Sequence, residues 1–151
     1  MELNREAPNF KAQSQQGEIC LSALRGQYVV LYFYPRDNTS GCTTEAQEFR
    51  DAKQDFADAN AVILGVSRDS LKSHQGFSEK QELNFALLSD EDEAICLAYD
   101  VMKMKNMYGK QARGVERSTF LIDPEGKVVA LWRKVRVKEH VQEVLTTLNA
   151  Q

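Results

Sequence analysis

Residues Tyr28 to Phe49 read YVVLYFYPRDNTSGCTTEAQEF, and the way this stretch changes character halfway along decides the fold. Tyr28 to Tyr34 is an unbroken run of aromatic, β-branched and leucine residues, the pattern of a strand covered on both faces. Pro35 ends it, because proline cannot donate to a strand ladder. From Cys42 to Asn60, the residues Ala46, Phe49, Ala52, Phe56 and Ala59 recur at spacings of three and four and share one helical stripe. A buried strand that passes through a short polar loop into an amphipathic helix opens a βαβ unit.

The flanking sequence continues the alternation. Upstream, Gln16-Gly17-Glu18 predicts a turn before a short strand at Ile19 to Leu21. Downstream, Ala61 to Val66 (AVILGV) predicts a second buried strand. Ser67 to Ser70 then offers cap side chains for a helix reaching about Gln81, with Leu71 and Phe77 inward. Phe85 to Leu88 predicts a strand and Glu91 to Tyr99 a short helix. Ser118 to Ile122 and Lys127 to Trp132 flank Asp123-Pro124-Glu125-Gly126, whose proline and glycine suit a hairpin turn. Val141, Val144, Leu145 and Leu148 mark a closing helix. The order βαβα…ββα predicts an α/β protein with a thioredoxin-like fold, a mixed central sheet with helices on both faces. No linker or repeat interrupts residues 1–151, so one domain is expected.

Composition narrows the chemistry. The chain has 151 residues, 42% of them hydrophobic, with 19 Lys+Arg against 22 Asp+Glu and a formal charge of −3. That balance lacks the clustered cationic charge on which general nucleic-acid binding rests. No apolar run approaches the roughly 20 residues needed to cross a bilayer, and MELNREAPNF lacks an apolar signal-peptide core. A cytoplasmic location is therefore expected, with no membrane contact. The three cysteines, Cys20, Cys42 and Cys96, show no CxxC or zinc-ligand spacing. An odd, small number of thiols directs attention to a single reactive one. His74 and His140 have no Cys or carboxylate at metal-ligand spacing along the chain, and no Gly-rich phosphate loop or dinucleotide fingerprint occurs, so neither metal nor cofactor is expected.

Cys42 falls in the predicted first turn of its helix. Backbone N–H groups there lack intrahelical partners and, with the helix dipole, favour an anion such as a thiolate. An ordinary thiol with a pKa near 8.5 is only about 3% ionised at pH 7, and a reactive one with a pKa near 6 is about 90% ionised. That difference corresponds to roughly 3.4 kcal/mol, more than one helix end supplies, so a neighbouring cation is required as well.

The loop YPRDNTSGCTTEA resembles the YPKDxTPGCTxEA pattern of the peroxiredoxins, specifically the peroxiredoxin Q or bacterioferritin comigratory protein group. Met107-Tyr108-Gly109-Lys110, the run Gly114 to Asp123 (GVERSTFLID) and the opening Ala7-Pro8-Asn9-Phe10 extend the similarity over essentially the whole chain. The resemblance implies a thiol-dependent peroxidase for hydrogen peroxide and organic hydroperoxides, with Cys42 as the nucleophile that becomes a sulfenic acid. It assigns Thr39 a hydroxyl directed at the sulfur and the peroxide. It also places Arg117 beside Cys42 as the cation.

Two positions depart from the pattern. Ser40 stands where the group has proline, making that wall of the site smaller and more polar. The positions where the group carries a resolving cysteine hold Gln47 and Ser78. Cys20, in a short strand, and Cys96, amid Ala94-Ile95-Cys96-Leu97-Ala98, are expected to be structural. These features predict a one-cysteine cycle in which thioredoxin, glutaredoxin or a low-molecular-weight thiol reduces the sulfenic acid. A monomer or weak dimer is expected by analogy with the group. Two alternatives stay open: a thiol–disulfide oxidoreductase on the same fold, disfavoured because Cys42 lacks a CxxC partner, and a non-catalytic redox-binding module. Glu45 has two readings, an organiser of hydrogen bonds in the site and a partner for the helix dipole, of which the second is simpler; Lys103 to Arg113 likewise reads as a docking surface for a reductant or, more simply, as a solvated cationic loop over partly packed Met102, Met104 and Met107.

Overall fold

Two strands precede the hydrophobic run. β1 (Lys11–Ser14) and β2 (Gly17–Cys20) form an antiparallel hairpin whose turn is closed by Ser14 Oγ donating to Gly17 O at 2.7 Å. A short 3-10 helix, Leu21–Leu24, follows. The decisive stretch forms β3 (Tyr28–Phe33) and α1 (Ser40–Asp58), followed by β4 (Ala61–Ser67), α2 (Leu71–Lys80), β5 (Ala86–Ser89) and α3 (Ala94–Ala98). Then come β6 (Met102–Met107), β7 (Lys110–Val115), β8 (Ser118–Ile122), β9 (Val128–Trp132) and α4 (His140–Asn149). This computed structural model describes residues 2–151, and the Met107 side chain lies outside the described ones.

Seven strands make one mixed sheet in the order β2-β1-β5-β4-β3-β8-β9. β3 runs parallel to β4 and antiparallel to β8, and β4 runs parallel to β5. Because side chains alternate along a strand, β3 feeds two cores at once. Val30 and Tyr32 join Phe49 and Phe56 of α1, Phe77 of α2, and Val144 and Leu148 of α4. Val29, Leu31 and Phe33 face the other way, toward Ile95 and Cys96 of α3, with Tyr99, Val101 and Val115. The thioredoxin-like α/β architecture read from the sequence is therefore the one observed: three longer helices cover one face, and α3 with its flanking segments covers the other. Gly65 on β4 is required by this packing, since a Cβ there would lie 2.9 Å from Leu87 and 3.0 Å from the Tyr32 ring.

The structure differs from the sequence reading in several places: β1 has no counterpart in it, and the strand expected at Ile19 to Leu21 runs from Gly17 to Cys20, with Leu21 in the 3-10 helix. Lys103 to Arg113 is not a loop: β6 and β7 pair from Met102↔Val115 to Met107↔Lys110 as a separate two-stranded ribbon. Its two-residue turn, Tyr108-Gly109, has φ of +54° and +79°, the positive pair of a type I′ hairpin. The alternation MKMKNM is a weak strand signal because methionine and lysine lack the β-branched shape that usually announces one. The Glu91 to Tyr99 helix shrinks to Ala94–Ala98, with Glu93 at φ +65°. In α2 the buried side chains are His74 and Phe77, and Leu71 is only half-buried.

His140, opening α4, is 3% exposed, packs edge-on against Trp132 and lies 2.8 Å from Thr119 Oγ1 through Nε2. Burial pushes its pKa down from 6.5 to about 4. A base depressed in the folded state contributes stability above its unfolded pKa and loses it as pH falls toward the folded value. Wild type is expected to lose on the order of 2 kcal/mol relative to His140→Gln between pH 7 and 4.5. Urea unfolding at the two pH values measures this, and an equal loss in both proteins would refute it.

Candidate active site

The β3–β8 register assembles the site. Phe33 is paired with Ser118 across the antiparallel ladder, so the chain enters β8 at Arg117 where it leaves β3 toward Cys42. These are also the carboxyl ends of the parallel strands β3 and β4, where open α/β sheets place their reactive groups.

Cys42 is the third residue of α1 and is 2% exposed. The N–H groups of Ser40, Gly41 and Cys42 precede the first intrahelical bond, from Thr43 N–H to Thr39 O at 2.9 Å, and so present the positive end of a 19-residue helix around the sulfur. Arg117 Nη2 lies 3.3 Å from Cys42 Sγ, and Nη1 donates to Glu45 Oε1 at 2.6 Å. Gly41 makes room for this approach: a Cβ there would sit 3.3 Å from Arg117 Nη2. Burial alone would lower the Arg117 pKa, but Glu45 and Cys42 more than offset it and hold the guanidinium charged. A permanent cation in a poorly solvated site stabilises negative charge on the sulfur far more than it would in water.

Thr39 is the helix N-cap, in extended conformation, but its side chain caps nothing. Its hydroxyl donates to Arg36 O at 2.9 Å, so its proton is directed at the loop instead of at the sulfur. That geometry leaves the oxygen lone pairs as acceptors. Of the three residues singled out from the sequence, Cys42 and Arg117 meet directly, and Thr39 stands one turn before the sulfur.

Glu45 is the residue whose part in the site the sequence reading set aside in favour of the helix dipole. It lies on the same inward stripe as Cys42, one turn on, and is completely buried. One oxygen holds Arg117, and Oε2 has no partner among the described residues. Burial raises its pKa from 4.5 to about 7, against the pull of Arg117. An acid raised in the folded state contributes its full stability below the unfolded pKa and loses it as pH climbs through the folded one. Between pH 5 and 8, wild type is expected to lose roughly 2 kcal/mol relative to Glu45→Gln. Denaturant midpoints at both pH values test this, and parallel pH profiles would contradict it.

His74, isolated in sequence, acquires two carboxylate neighbours in the fold. Asp37, Asp69 and His74 present ligand-type atoms within 4.8 Å of one another. Asp37 Oδ2 and the two His74 nitrogens are already engaged with one another or with protein groups, and Asp69 Oδ2 accepts from Asp37 N–H and Ser67 Oγ. The cluster therefore reads as a hydrogen-bonded strut. A cleft of about 580 Å³ between Phe10, Asp90, Ile95 and Tyr99 does not touch Cys42.

The other thiols sit apart. Cys96 belongs to the opposite core, with its thiol pushed far up by burial and by Asp90. Cys20 is partly exposed at the end of β2, 3.2 Å from Ser22 Oγ, whose hydrogen bond lowers its pKa. Gln47 and Ser78 hold hydrogen bonds to Gln81 and Gln15 at 2.9 and 3.2 Å.

Residues 3–131 match the AhpC/TSA family. Peroxiredoxin Bcp of Bacillus subtilis is 50% identical over 149 residues, spanning 98% of this chain and 95% of its own length. The Xanthomonas campestris bacterioferritin comigratory protein, studied for alkyl peroxide reduction activity, superposes with a TM-score of 0.89 at 53% identity, covering 93% of this chain and 90% of its own. A mutant of Xylella fastidiosa PrxQ superposes with a TM-score of 0.94 at 44% identity, covering 99% and 96%.

Proposed function

The chain belongs to the AhpC/TSA family, among its Bcp and PrxQ peroxiredoxins, and from that membership we propose that it is a thiol-dependent peroxidase working through Cys42. The observation that carries the reading is Arg117 Nη2 at 3.3 Å from a thiol in the first turn of a long helix. The thiolate attacks the nearer peroxide oxygen, the O–O bond breaks, and a proton goes to the departing oxygen: Cys–S⁻ + ROOH + H⁺ gives Cys–SOH + ROH. Arg117 stabilises the charge that moves from sulfur to the leaving oxygen. Thr39, its own proton committed to Arg36 O, accepts the hydrogen bond of the peroxide O–H and fixes which oxygen faces the sulfur. The substrate class includes alkyl hydroperoxides, as in the Xanthomonas campestris relative.

The cycle closes with a thiol from another molecule. One external thiol condenses with the sulfenic acid, releasing water and leaving a mixed disulfide. A second thiol then displaces Cys42 as the thiol. Thioredoxin, glutaredoxin or a small thiol fits this role. The separation of Cys96 into the opposite core and the hydrogen-bonded Gln47 and Ser78 support it. Among the described residues the exposed large apolar side chains are Leu3, Leu97, Met104 and Tyr108, few in number, in keeping with a monomer or weak dimer.

A double variant, Cys20→Ser with Cys96→Ser, tests the one-cysteine cycle. It is expected to turn over cumene hydroperoxide with dithiothreitol within about twofold of wild type, because neither thiol contributes to the transition state. Intact mass after one equivalent of peroxide with no added thiol completes the test: a loss of two hydrogens in wild type that is absent from the double variant would instead identify an internal resolving thiol.

A further inference from the structure

Cys42 presents opposite demands at the two halves of the proposed cycle. Peroxide is small and reacts with a sulfur held against Arg117. The sulfenic acid formed there, at a position 2% exposed, must meet a thiol on a second molecule. The first turn of α1 therefore has to open, and what holds it shut sets the timing.

Asp37 is the strongest tie on that segment. It lies two residues before the helix cap, is 4% exposed, and has three hydrogen-bond partners on one carboxyl group. Tyr34 Oη reaches Oδ1 at 2.7 Å, and Ser73 Oγ and His74 Nδ1 reach Oδ2 at 2.8 and 2.7 Å. His74, fully buried, extends the tie through Nε2 to Leu88 O at 2.9 Å. The Asp37 N–H donates to Asp69 Oδ2 at 2.9 Å, an oxygen that also takes Ser67 Oγ at 2.6 Å. The loop is thus pinned at once to the end of β3, the last residue of β4, β5, and the first turn of α2. Among the described residues none of these bonds comes from α1, so the helix turn can open while the anchor groups stay in place. A buried carboxyl group with several hydrogen bonds is an expensive tie to break, because each group left unpaired stays desolvated, and a specific one to re-form.

We propose that Asp37, gripped by Ser73 and His74, is a positioning clasp that sets the balance between a closed form, in which Cys42 meets peroxide, and an open form, in which its sulfenic acid meets the reductant. The clasp does not touch substrate. It acts through the loop that carries Thr39 and Cys42.

The two half-reactions are measured separately on the full chain. Rapid quench with hydrogen peroxide gives the oxidation rate, and capture of the preformed sulfenic acid by dimedone gives its accessibility. Asp37→Ala is expected to slow oxidation about tenfold and to speed dimedone capture threefold or more. Ser73→Ala, which removes one donor, moves both in the same directions by about threefold. Asp37→Asn, which keeps an acceptor for Tyr34, falls between wild type and Asp37→Ala. General loosening of the fold also exposes the sulfur, so Val128→Ala, a core variant in the cluster on the opposite face of the sheet from Cys42, serves as the reference for lost stability; capture accelerated no more than in that variant, both rates falling together, or neither moving, overturns the clasp. Should Asp37→Ala not fold by circular dichroism, the Ser73→Ala pair of rates decides by the same criterion. The clasp rests on the peroxidatic reading of Cys42. Full peroxidase activity in Cys42→Ser removes that reading, whereas parallel half-reaction changes with Cys42 still essential remove the clasp alone.

Discussion

Replacing Cys42 by serine is expected to lower peroxide consumption by about 10³-fold or more, because an alcohol in the same place is almost never ionised at neutral pH and is a far poorer nucleophile toward oxygen. The substitution is close to isosteric, so the buried turn and its contact with Arg117 persist. Unfolding midpoints are expected to change little. A peroxide-clearance assay run with excess dithiothreitol reads the effect directly. Undiminished clearance would assign the activity to Cys20 or Cys96. Clearance lost together with cooperative unfolding would mean that the thiol is structural.

Arg117→Ala is expected to have the next largest effect. The guanidinium contributes twice: it lies 3.3 Å from the sulfur and it neutralises Glu45 at 2.6 Å. Its removal takes away the cation that stabilises the thiolate and the departing oxygen, a loss of about 10²–10³-fold in the peroxide reaction by comparison with other preorganised charge stabilisers. It also leaves Glu45 as an unpaired buried acid, which raises that group's pKa still further and keeps it protonated at neutral pH. Arg117→Lys restores the charge without the fork that holds sulfur and carboxylate together, so partial recovery is expected. Single-turnover oxidation rates separate the cases. An Arg117→Ala protein that reacts with peroxide as fast as wild type would leave the cation without a role.

The sequence revealed the reactive thiol more readily than the groups that surround it, and the reason is physical. The strand-loop-helix transition around Cys42 is written in local signals: seven apolar residues, a proline, and a three-and-four stripe. Arg117 is 75 residues away in the chain and was identified through resemblance to a known pattern, because pairing of β3 with β8 is a long-range event with no local signature. Glu45 was misread for a related reason. A carboxylate near a helix start ordinarily serves the dipole from the surface, and only the register of the buried stripe distinguishes it from one turned inward. His74 illustrates the limit: its partner Asp37 lies 37 residues distant, and helix spacing alone made the histidine appear solitary. The β6–β7 ribbon was missed because its strands lack β-branched side chains, even though its positive-φ turn at Tyr108-Gly109 is the feature that most directly specifies a hairpin.

The central claim is that one thiol of three meets the peroxide, and Cys20 is its natural competitor, being partly exposed with its pKa lowered by Ser22. Peptide mass mapping after a single equivalent of hydrogen peroxide, with dimedone present to capture sulfenic acid, discriminates them in one experiment. The adduct is predicted on the peptide containing Cys42, with Cys20 and Cys96 recovered as free thiols. An adduct on Cys20 or Cys96 with Cys42 unmodified would contradict the account.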